Sequence, residues 1–356
     1  MSRVEGALPL LSVAARSGVR RIGRRAPRRW RLTALLGALG VVAQGCTARA
    51  TEQPGDLPAG SATASSGIVI RVMTFNLWHG GEAGGEPLER TVDVIRAARA
   101  DIVGLQETHG LERDGAREDH APLIAAALGW HAAPQGGRTA IISRFPVVSM
   151  TPQRWGCAVE LDDGRRLLVF NVHLAASPYQ PYQLLGIPYH DAPFLSTPAA
   201  LIDAARSARG GDVSRLLDEV GVALTCGVPV VVTGDFNEPS HLDWSPRAAE
   251  AGAAPAAVAY PTSRALIDAG LRDAWRVIHP CEVGAPGWTW TPTTAEDDPT
   301  DRHDRIDFVY VGSDVQLIDC AIVGERPDRA EIVVTPYPSD HRGVVATLRL
   351  PRRGSG

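Results

Sequence analysis

The chain has 356 residues, 44% of them hydrophobic and 21% charged, with a formal net charge of -4. That composition excludes an intrinsically disordered chain and leaves ample material for a core. The length is too great for one small domain and short for two large ones.

The amino terminus differs from the rest. Arg16 to Arg31 holds eight arginines, and an apolar run follows from Leu32 to Ala43. A basic stretch, a short apolar stretch and small residues are the layout of a secretory signal, so residues 1–46 are expected to be a signal peptide. The run is too short to span a membrane. Arg28-Arg29-Trp30-Arg31-Leu32 resembles a twin-arginine export motif. Cys46, after Ala43-Gln44-Gly45, resembles a bacterial lipoprotein cleavage site, with Gln44 unusual there. The bland alternative is a basic disordered tail. Residues 47–67, rich in Ser, Ala, Pro, Gly and Thr, read as a flexible linker. Residues 68–350 read as the folded domain and 351–356 as a tail.

Nine of the 36 basic residues and one of the 40 acidic ones lie in residues 1–46. The remainder carries 27 arginines against 39 carboxylates, a net of -12, and no lysine. Such a surface offers no general pull on nucleic acid. Nucleic acid is therefore disfavoured as a substrate but not excluded, because divalent ions and local arginines can offset the field. Cys157, Cys226, Cys281 and Cys320 remain. An even count permits two disulfides and equally permits four buried thiols. Their spacing suggests no zinc site.

In chain order, Ile68 to Asn76 reads as a strand and Gly80 to Gly85 as a glycine-rich loop. Pro87 to Ala100 has a helical period, with Pro87 suited to the first turn. Asp101 to Gln106 is a short buried strand, and Ala121 to Leu128 a helix. Four strands follow: Thr139 to Ser143, Val147 to Met150, Cys157 to Leu161 and Leu167 to His173. Asp162-Asp163-Gly164 joins the last two as a hairpin. Thr197 to Thr225 is mostly helix. Val230-Val231-Val232 is a buried strand running into Thr233-Gly234-Asp235-Phe236-Asn237. Ser263 to Ala269 and Leu271 to Val277 read as helices. Ile306 to Val311, Val315 to Val323 and Gly343 to Leu350 read as strands. Strands joined by hairpins and interleaved with helices suggest mixed sheets with helices outside.

Several strand ends carry polar groups. Asn76 closes the first strand and Glu107 the second. His173 ends Phe-Asn-Val-His. Asp235 and Asn237 lie two residues apart and leave one strand end together. Asp307 lies in Asp-Arg-Ile-Asp-Phe, and Asp340-His341 in Pro-Ser-Asp-His-Arg. Each has a plain explanation alone: a turn, a helix-start acid, a satisfied histidine, or an Asp307–Arg305 pair. Together these explanations fail, because polar groups at the buried ends of apolar strands are costly unless used.

The series, in this order, resembles the endonuclease/exonuclease/phosphatase superfamily across about residues 68 to 350. The resemblance implies a four-layer α/β sandwich, two mixed β-sheets packed face to face with helices on both outer sides. It implies a metal-dependent phosphoesterase, with Glu107, Asn76 and Asp340 on the metal side. Glu107 is a hard oxygen ligand suited to Mg²⁺ or Mn²⁺. His341 is the expected general base, held in one tautomer by Asp307. Asp235 would orient the attacking water or assist the leaving oxygen. Asn237 and His173 would donate to phosphoryl oxygens, and His173 could serve as the acid.

Two stretches have no equivalent in the family pattern. Ala175 to Pro198 holds Tyr179, Tyr182, Tyr189, His190 and Phe194. It follows His173, so it is expected to overhang the site, with Tyr179 and Tyr182 against the substrate. Glu238 to Trp244 brings Ser240 and His241 near Asn237, where His241 could reach the phosphate; the plainer reading is a helix entry capped by Ser240. Gly287-Trp288-Thr289-Trp290 would line the opposite wall. The expected activity is hydrolysis of a phosphomonoester or phosphodiester by water attack at phosphorus, in an exported monomer. A secreted nuclease, a sphingomyelinase-like phospholipase and a non-catalytic binding module on the same fold stay open. No apolar membrane hairpin of the phospholipase kind is evident, and the signature of the inositol 5-phosphatases is missing around Asp304-Arg305. Contact with a membrane would come only through a lipid anchor.

Overall fold

The computed structural model describes residues 67–350. The expected signal peptide, the tail and all of the linker but Gly67 lie outside the described residues.

Among the described residues, thirteen strands form two sheets. The first runs, in spatial order, β12 (Ile332–Val333), β11 (Gln316–Gly324), β13 (Gly343–Leu350), β1 (Ile68–Asn76), β2 (Ile102–Gln106), β4 (Thr139–Ser143) and β3 (His131–Gly136). The second runs β5 (Val147–Met150), β6 (Gly156–Glu160), β7 (Arg166–His173), β8 (Val230–Asp235), β10 (Asp307–Val311) and β9 (Arg272–Asp273). Both are mixed: β1 and β2 are parallel, as are β7 and β8, while β13 and β10 run antiparallel to their neighbours.

The sheets pack face to face, with Ile70, Val72 and Ile102 meeting Val169, Val231 and Val309 between them. Outside the first sheet, α1 (Leu88–Ala97) and α2 (Ala121–Leu128) cover Met73, Phe75, Val103 and Leu105. Outside the second, α4 (Pro198–Thr225) and α6 (Pro261–Asp268) cover Phe170, Val172, Val230 and Val232. This is the expected four-layer sandwich. Each fully buried Val, Leu or Phe in these layers contributes roughly 1.5–3 kcal/mol. Because β8 is buried on both faces, it shows a run of valines rather than an alternation.

The inward faces change character along each strand. They read Ile70-Val72-Thr74-Asn76 in β1, Leu167-Val169-Asn171-His173 in β7 and Val231-Thr233-Asp235 in β8. Apolar packing gives way to a polar layer, and that layer ends in the candidate site residues. Gln106 Nε2 donates to Asn171 Oδ1 at 2.6 Å and to Thr74 Oγ1 at 3.0 Å, across the gap between sheets. Thr233 Oγ1 lies 3.2 Å from the same Asn171 oxygen. Gly104 makes this approach possible: a Cβ there would stand 2.0 Å from Thr233 Oγ1.

Some expectations change. The helix expected over Leu271–Val277 begins as the two-residue strand β9, which pairs with β10, and turns helical only in α7 (Ala274–Ile278). Asp273 caps it, accepting from the Arg276 N–H. α5 (Pro246–Glu250) is capped by Ser245, not Ser240. Ser240 instead accepts from the Leu242 N–H at 3.1 Å. The hairpin at Asp162-Asp163-Gly164 forms, with Gly164 at φ 79°. Cys157, Cys226 and Cys320 carry free thiols, so the two-disulfide arrangement does not form among them. Among the described residues, no helix is long and apolar enough to cross a membrane.

Candidate active site

Strand register gathers the site. His173 of β7 pairs with Asp235 of β8, and Asp235 pairs in turn with Asp307 at the start of β10. In the other sheet Asn76 ends β1, and Glu107 directly follows β2. Asp340 and His341 precede β13, which runs antiparallel to β1. Ser339 fastens that turn: its Oγ donates to the Asn76 carbonyl at 2.6 Å and accepts the His341 N–H at 3.0 Å.

Most of these groups line one cavity of about 220 Å³, with Asn76, Asp307 and Ser339 buried behind them. Glu107, His173, Asp235, Asn237, Asp340 and His341 form its floor; Trp78, Tyr179, Tyr182, Tyr189 and Trp290 form its walls. A larger cleft, about 790 Å³, lies at the opposite strand ends beside Arg166 and Pro229 and gathers no such set.

His341 Nδ1 sits 2.9 Å from Asp307 Oδ2, both groups buried. Burial opposes a charged imidazole, but the Asp307 and Asp235 carboxylates outweigh it and push His341 up to about 10. The pairing of Asp307 with Arg305 fails, since Arg305 lies 2.8 Å from both Asp243 and Asp273. Thr289 fixes Asp307 from behind, its Oγ1 accepting the Asp307 N–H at 3.1 Å. Trp290 packs its ring 4.9 Å from that of His341.

Asp235 is oriented on both oxygens. Oδ2 accepts from Asn76 Nδ2 and Oδ1 from the Asn237 N–H, each at 2.9 Å. His173 Nε2 stands 3.5 Å from Asp235 Oδ2 and 4.0 Å from Glu107 Oε1. The Asn76 oxygen accepts from the Trp78 N–H at 3.0 Å, so Asn76 acts first by orienting its neighbours. One amide hydrogen of Asn237 goes to the Leu174 carbonyl at 3.1 Å, leaving the other for a ligand.

Backbone strain collects here. Glu107 and Asn237 have φ of 53° and 49°, and Trp78 and His79 have φ of 55° and 54°. Left-handed non-glycine residues cost about 1–3 kcal/mol each and persist where the surroundings enforce them.

The donor set fits a divalent cation. Asp235, Asp307 and His341 bring ligand atoms within 4.8 Å of one another. Asp340 Oδ1 and Asp307 Oδ1 are buried without a hydrogen-bond partner. Burial, with Glu107 and Asp235 adding to it against the pull of His341, pushes Asp340 up to about 7. Burial also opposes the charge on Glu107, yet His173, Arg138, His341 and His79 hold it below its ordinary value. His341 Nδ1 already serves Asp307, and the carboxylates of Glu107, Asp235 and Asp340 line the same cavity and offer hard oxygens to a divalent cation.

The tyrosine segment does overhang the cavity, through α3 (Gln180–Leu185). Tyr179, Tyr182 and Tyr189 stand edge to face, with centroids 4.9 and 5.6 Å apart. Tyr179 donates to Asp304 Oδ2 at 3.0 Å, and Tyr182 bonds Asp301, so both hydroxyls are committed and only their ring edges face a ligand. Tyr189 is the half-exposed member. Arg209, wholly buried in α4, braces this segment. It donates to Gln180 Oε1 at 2.7 Å and the Pro178 carbonyl at 3.0 Å, and lies 3.6 Å from Glu238.

His241 is not brought to the cavity. Its ring and backbone N–H both engage Ser263 Oγ at 2.8 Å, because the chain turns away after Asn237 toward α6. Ser240 is likewise buried structure. Of the tryptophan stretch, Trp290 lines the cavity, while Trp288 packs against His303. Sequence reasoning missed His79, Arg138, Ser339 and Arg209.

Two mixed sheets with such a cavity across their strand ends, and an Asp235–Asp307–His341 cluster that could hold a metal, are the fold of the phosphoesterase and nuclease class of hydrolases. The chain belongs to the endonuclease/exonuclease/phosphatase family, whose family model matches residues 73–341. It is 27% identical over 304 residues to the uncharacterised protein F14F9.5 of Caenorhabditis elegans, covering 80% of this chain and 93% of that one. Among solved structures it is similar to an endonuclease/exonuclease/phosphatase protein from Beutenbergia cavernae, at 20% identity and a TM-score of 0.51, covering 81% of this chain and 73% of that one. It is also similar to the 3′ phosphatase NExo from Neisseria, solved with a product DNA hairpin, at 20% identity and a TM-score of 0.46, covering 78% and 98%.

Proposed function

We propose that the protein is an exported, divalent-metal-dependent phosphoesterase that hydrolyses a small phosphomonoester or phosphodiester by attack of water at phosphorus. The observation that carries this reading is the buried Asp307–His341 pair, 2.9 Å apart, opening on a cavity with unpartnered carboxylate oxygens. Glu107 and Asp340, with Asp235 beside them, would hold Mg²⁺ or Mn²⁺; the ion, when bound, supplies charge relief to the phosphoryl oxygens. Asp307 holds a proton on His341 Nδ1, so Nε2, once it has lost its own proton, is the nitrogen that takes one from the attacking water. Asp235, fixed by Asn76 and the Asn237 N–H, aligns that water or the leaving oxygen. Asn237 donates its second amide hydrogen to a phosphoryl oxygen, and His173 supplies a proton to the leaving group.

The cavity's size supports a small substrate. At about 220 Å³ it takes a phosphoryl group and one adjoining ring or headgroup. The aromatic walls suit a planar or cationic substituent. Activity screened with Mg²⁺ or Mn²⁺ on p-nitrophenyl phosphate, its bis-ester, sphingomyelin and plasmid DNA tests the reading. Turnover of one of the first two, abolished by chelation, is expected. Full activity in excess chelator, or cleavage of plasmid DNA alone, overturns it. Export is tested by mass spectrometry of the mature chain: a start at Met1 refutes processing, and an unmodified start at Thr47 or later refutes lipid anchoring at Cys46.

A further inference from the structure

No role above uses His79 and Arg138. His79 lines the cavity beside Glu107. Its left-handed backbone is held in place: its N–H donates to Glu107 Oε2 at 3.2 Å, and the next N–H, of Gly80, donates to the Glu107 carbonyl at 2.7 Å. Arg138 reaches in from the β3–β4 turn. Its Nη2 lies 2.9 Å from Glu107 Oε2 and 2.9 Å from His79 Nδ1.

A guanidinium has donors and no acceptor. His79 Nδ1 must therefore accept, and the imidazole proton sits on Nε2. Nε2 has no hydrogen-bond partner among the described residues, and the ring forms part of the cavity wall. Glu107, Asp235 and Asp340 bring carboxylates to the cavity, and Asn237 has already spent one amide hydrogen on Leu174. Glu107 is left asymmetric: Oε2 accepts twice, while Oε1 faces only His173, at 4.0 Å. An isolated surface pair of Arg138 and Glu107 would explain none of this: not the strained His79 backbone, and not the fixed tautomer.

We propose that His79 is a further substrate-binding residue, donating from Nε2–H to an anionic oxygen of the bound phosphoester on the Glu107 side of the cavity. Arg138 is its positioning residue. It sets the tautomer of His79 and pins one oxygen of Glu107, so that the other is presented singly. This inference rests on the phosphoesterase reading for its ligand.

The test uses the whole chain, loaded with Mn²⁺, and inorganic phosphate as the probe in calorimetric titration, alongside p-nitrophenyl phosphate kinetics. His79→Ala is expected to weaken phosphate binding and raise KM by about tenfold each, the scale of one charge-assisted hydrogen bond. Mn²⁺ affinity stays within about twofold, since the backbone N–H that holds Glu107 remains. His79→Gln, whose amide nitrogen falls where Nε2 was, recovers most of the loss. His79→Asn replaces only the Nδ1 position and behaves like alanine; it serves where the alanine variant fails to fold. Arg138→Met weakens phosphate and Mn²⁺ together. Wild-type phosphate affinity in His79→Ala or His79→Asn, no gain in His79→Gln, or a wild-type chain that binds no phosphate overturns the proposal. A wild-type chain that binds phosphate yet turns over no phosphoester overturns the phosphoesterase reading instead, and the titrations still decide the role of His79.

Discussion

Replacing Asp307 with Asn separates the carboxylate's charge from its shape. In the intact protein the imidazole of His341 is raised from 6.5 to about 10, chiefly by Asp307 and Asp235 acting against burial. At 1.36 kcal/mol per unit, the net shift corresponds to on the order of 5 kcal/mol, which is what remains after Asp307 and Asp235 have offset burial. The amide keeps a hydrogen-bonding group at the same place but removes the charge, and it can donate to Nδ1 and drive the proton onto Nε2. We expect kcat/KM on p-nitrophenyl phosphate to fall about 10²- to 10⁴-fold, with the acid limb of its pH profile displaced to lower pH. Stability gives an independent reading. A folded-state pKa above the unfolded value stabilises fully below about 6.5 and loses that contribution as pH rises toward about 10. The metal-free variant should therefore melt well below wild type at pH 6, and the gap should narrow by pH 10. Kinetics within tenfold of wild type, with the acid limb unmoved, would refute the pairing as the source of basicity. Near-wild-type turnover in His341→Gln would reject His341 as the base and move suspicion to Asp235.

Three further outcomes are expected. Burial pushes Asp340 up to about 7, so Mn²⁺ affinity should climb from pH 6 to pH 8 as the carboxylate loses its proton, and Asp340→Asn should flatten that rise in calorimetry. Tyr189→Ala should change the ratio of turnover between aryl and choline-bearing phosphodiesters while sparing turnover of p-nitrophenyl phosphate; a constant ratio would make the segment mere scaffolding. Gly104→Ala puts a Cβ 2.0 Å from Thr233 Oγ1 and should cost about 1–3 kcal/mol or more, read as a drop in Tm, with activity falling as the sheets part.

Much of the fold was legible because the strands that carry it are apolar on both faces and end abruptly in polar groups. Val230 to Asp235 and Ile68 to Asn76 show this directly. The elements that escaped have little intrinsic signal. His131–Gly136, with two alanines, a proline and a terminal glycine, is an edge strand only because β4 offers it a partner. The short helix at Gln180–Leu185 hides within a proline- and tyrosine-rich run. The site residues on strand ends could be read by counting in twos, and Asn171, two before His173, could have been found the same way. His79 and Arg138 could not. They lie on turns 59 positions apart, and only the tertiary approach of those turns to Glu107 brings them to 2.9 Å. His241 misled because nearness in sequence to Asn237 was taken for nearness in space, while Asn237's left-handed backbone turns the chain away.

The brace formed by Arg209 bears on how this scaffold can be altered. One guanidinium, out of water, links the segment that walls the cavity to the residue following Asn237. The wall and the strand end therefore cannot be inherited or engineered separately. A graft of residues 175–198 into a related chain would arrive without its anchor unless Arg209 and Glu238 travelled with it, and the recipient's own strand end would be left holding a buried carboxylate or a void. Diversification of substrate preference here should proceed by exchanging ring faces along the segment, at Tyr189 first, rather than by exchanging the segment itself.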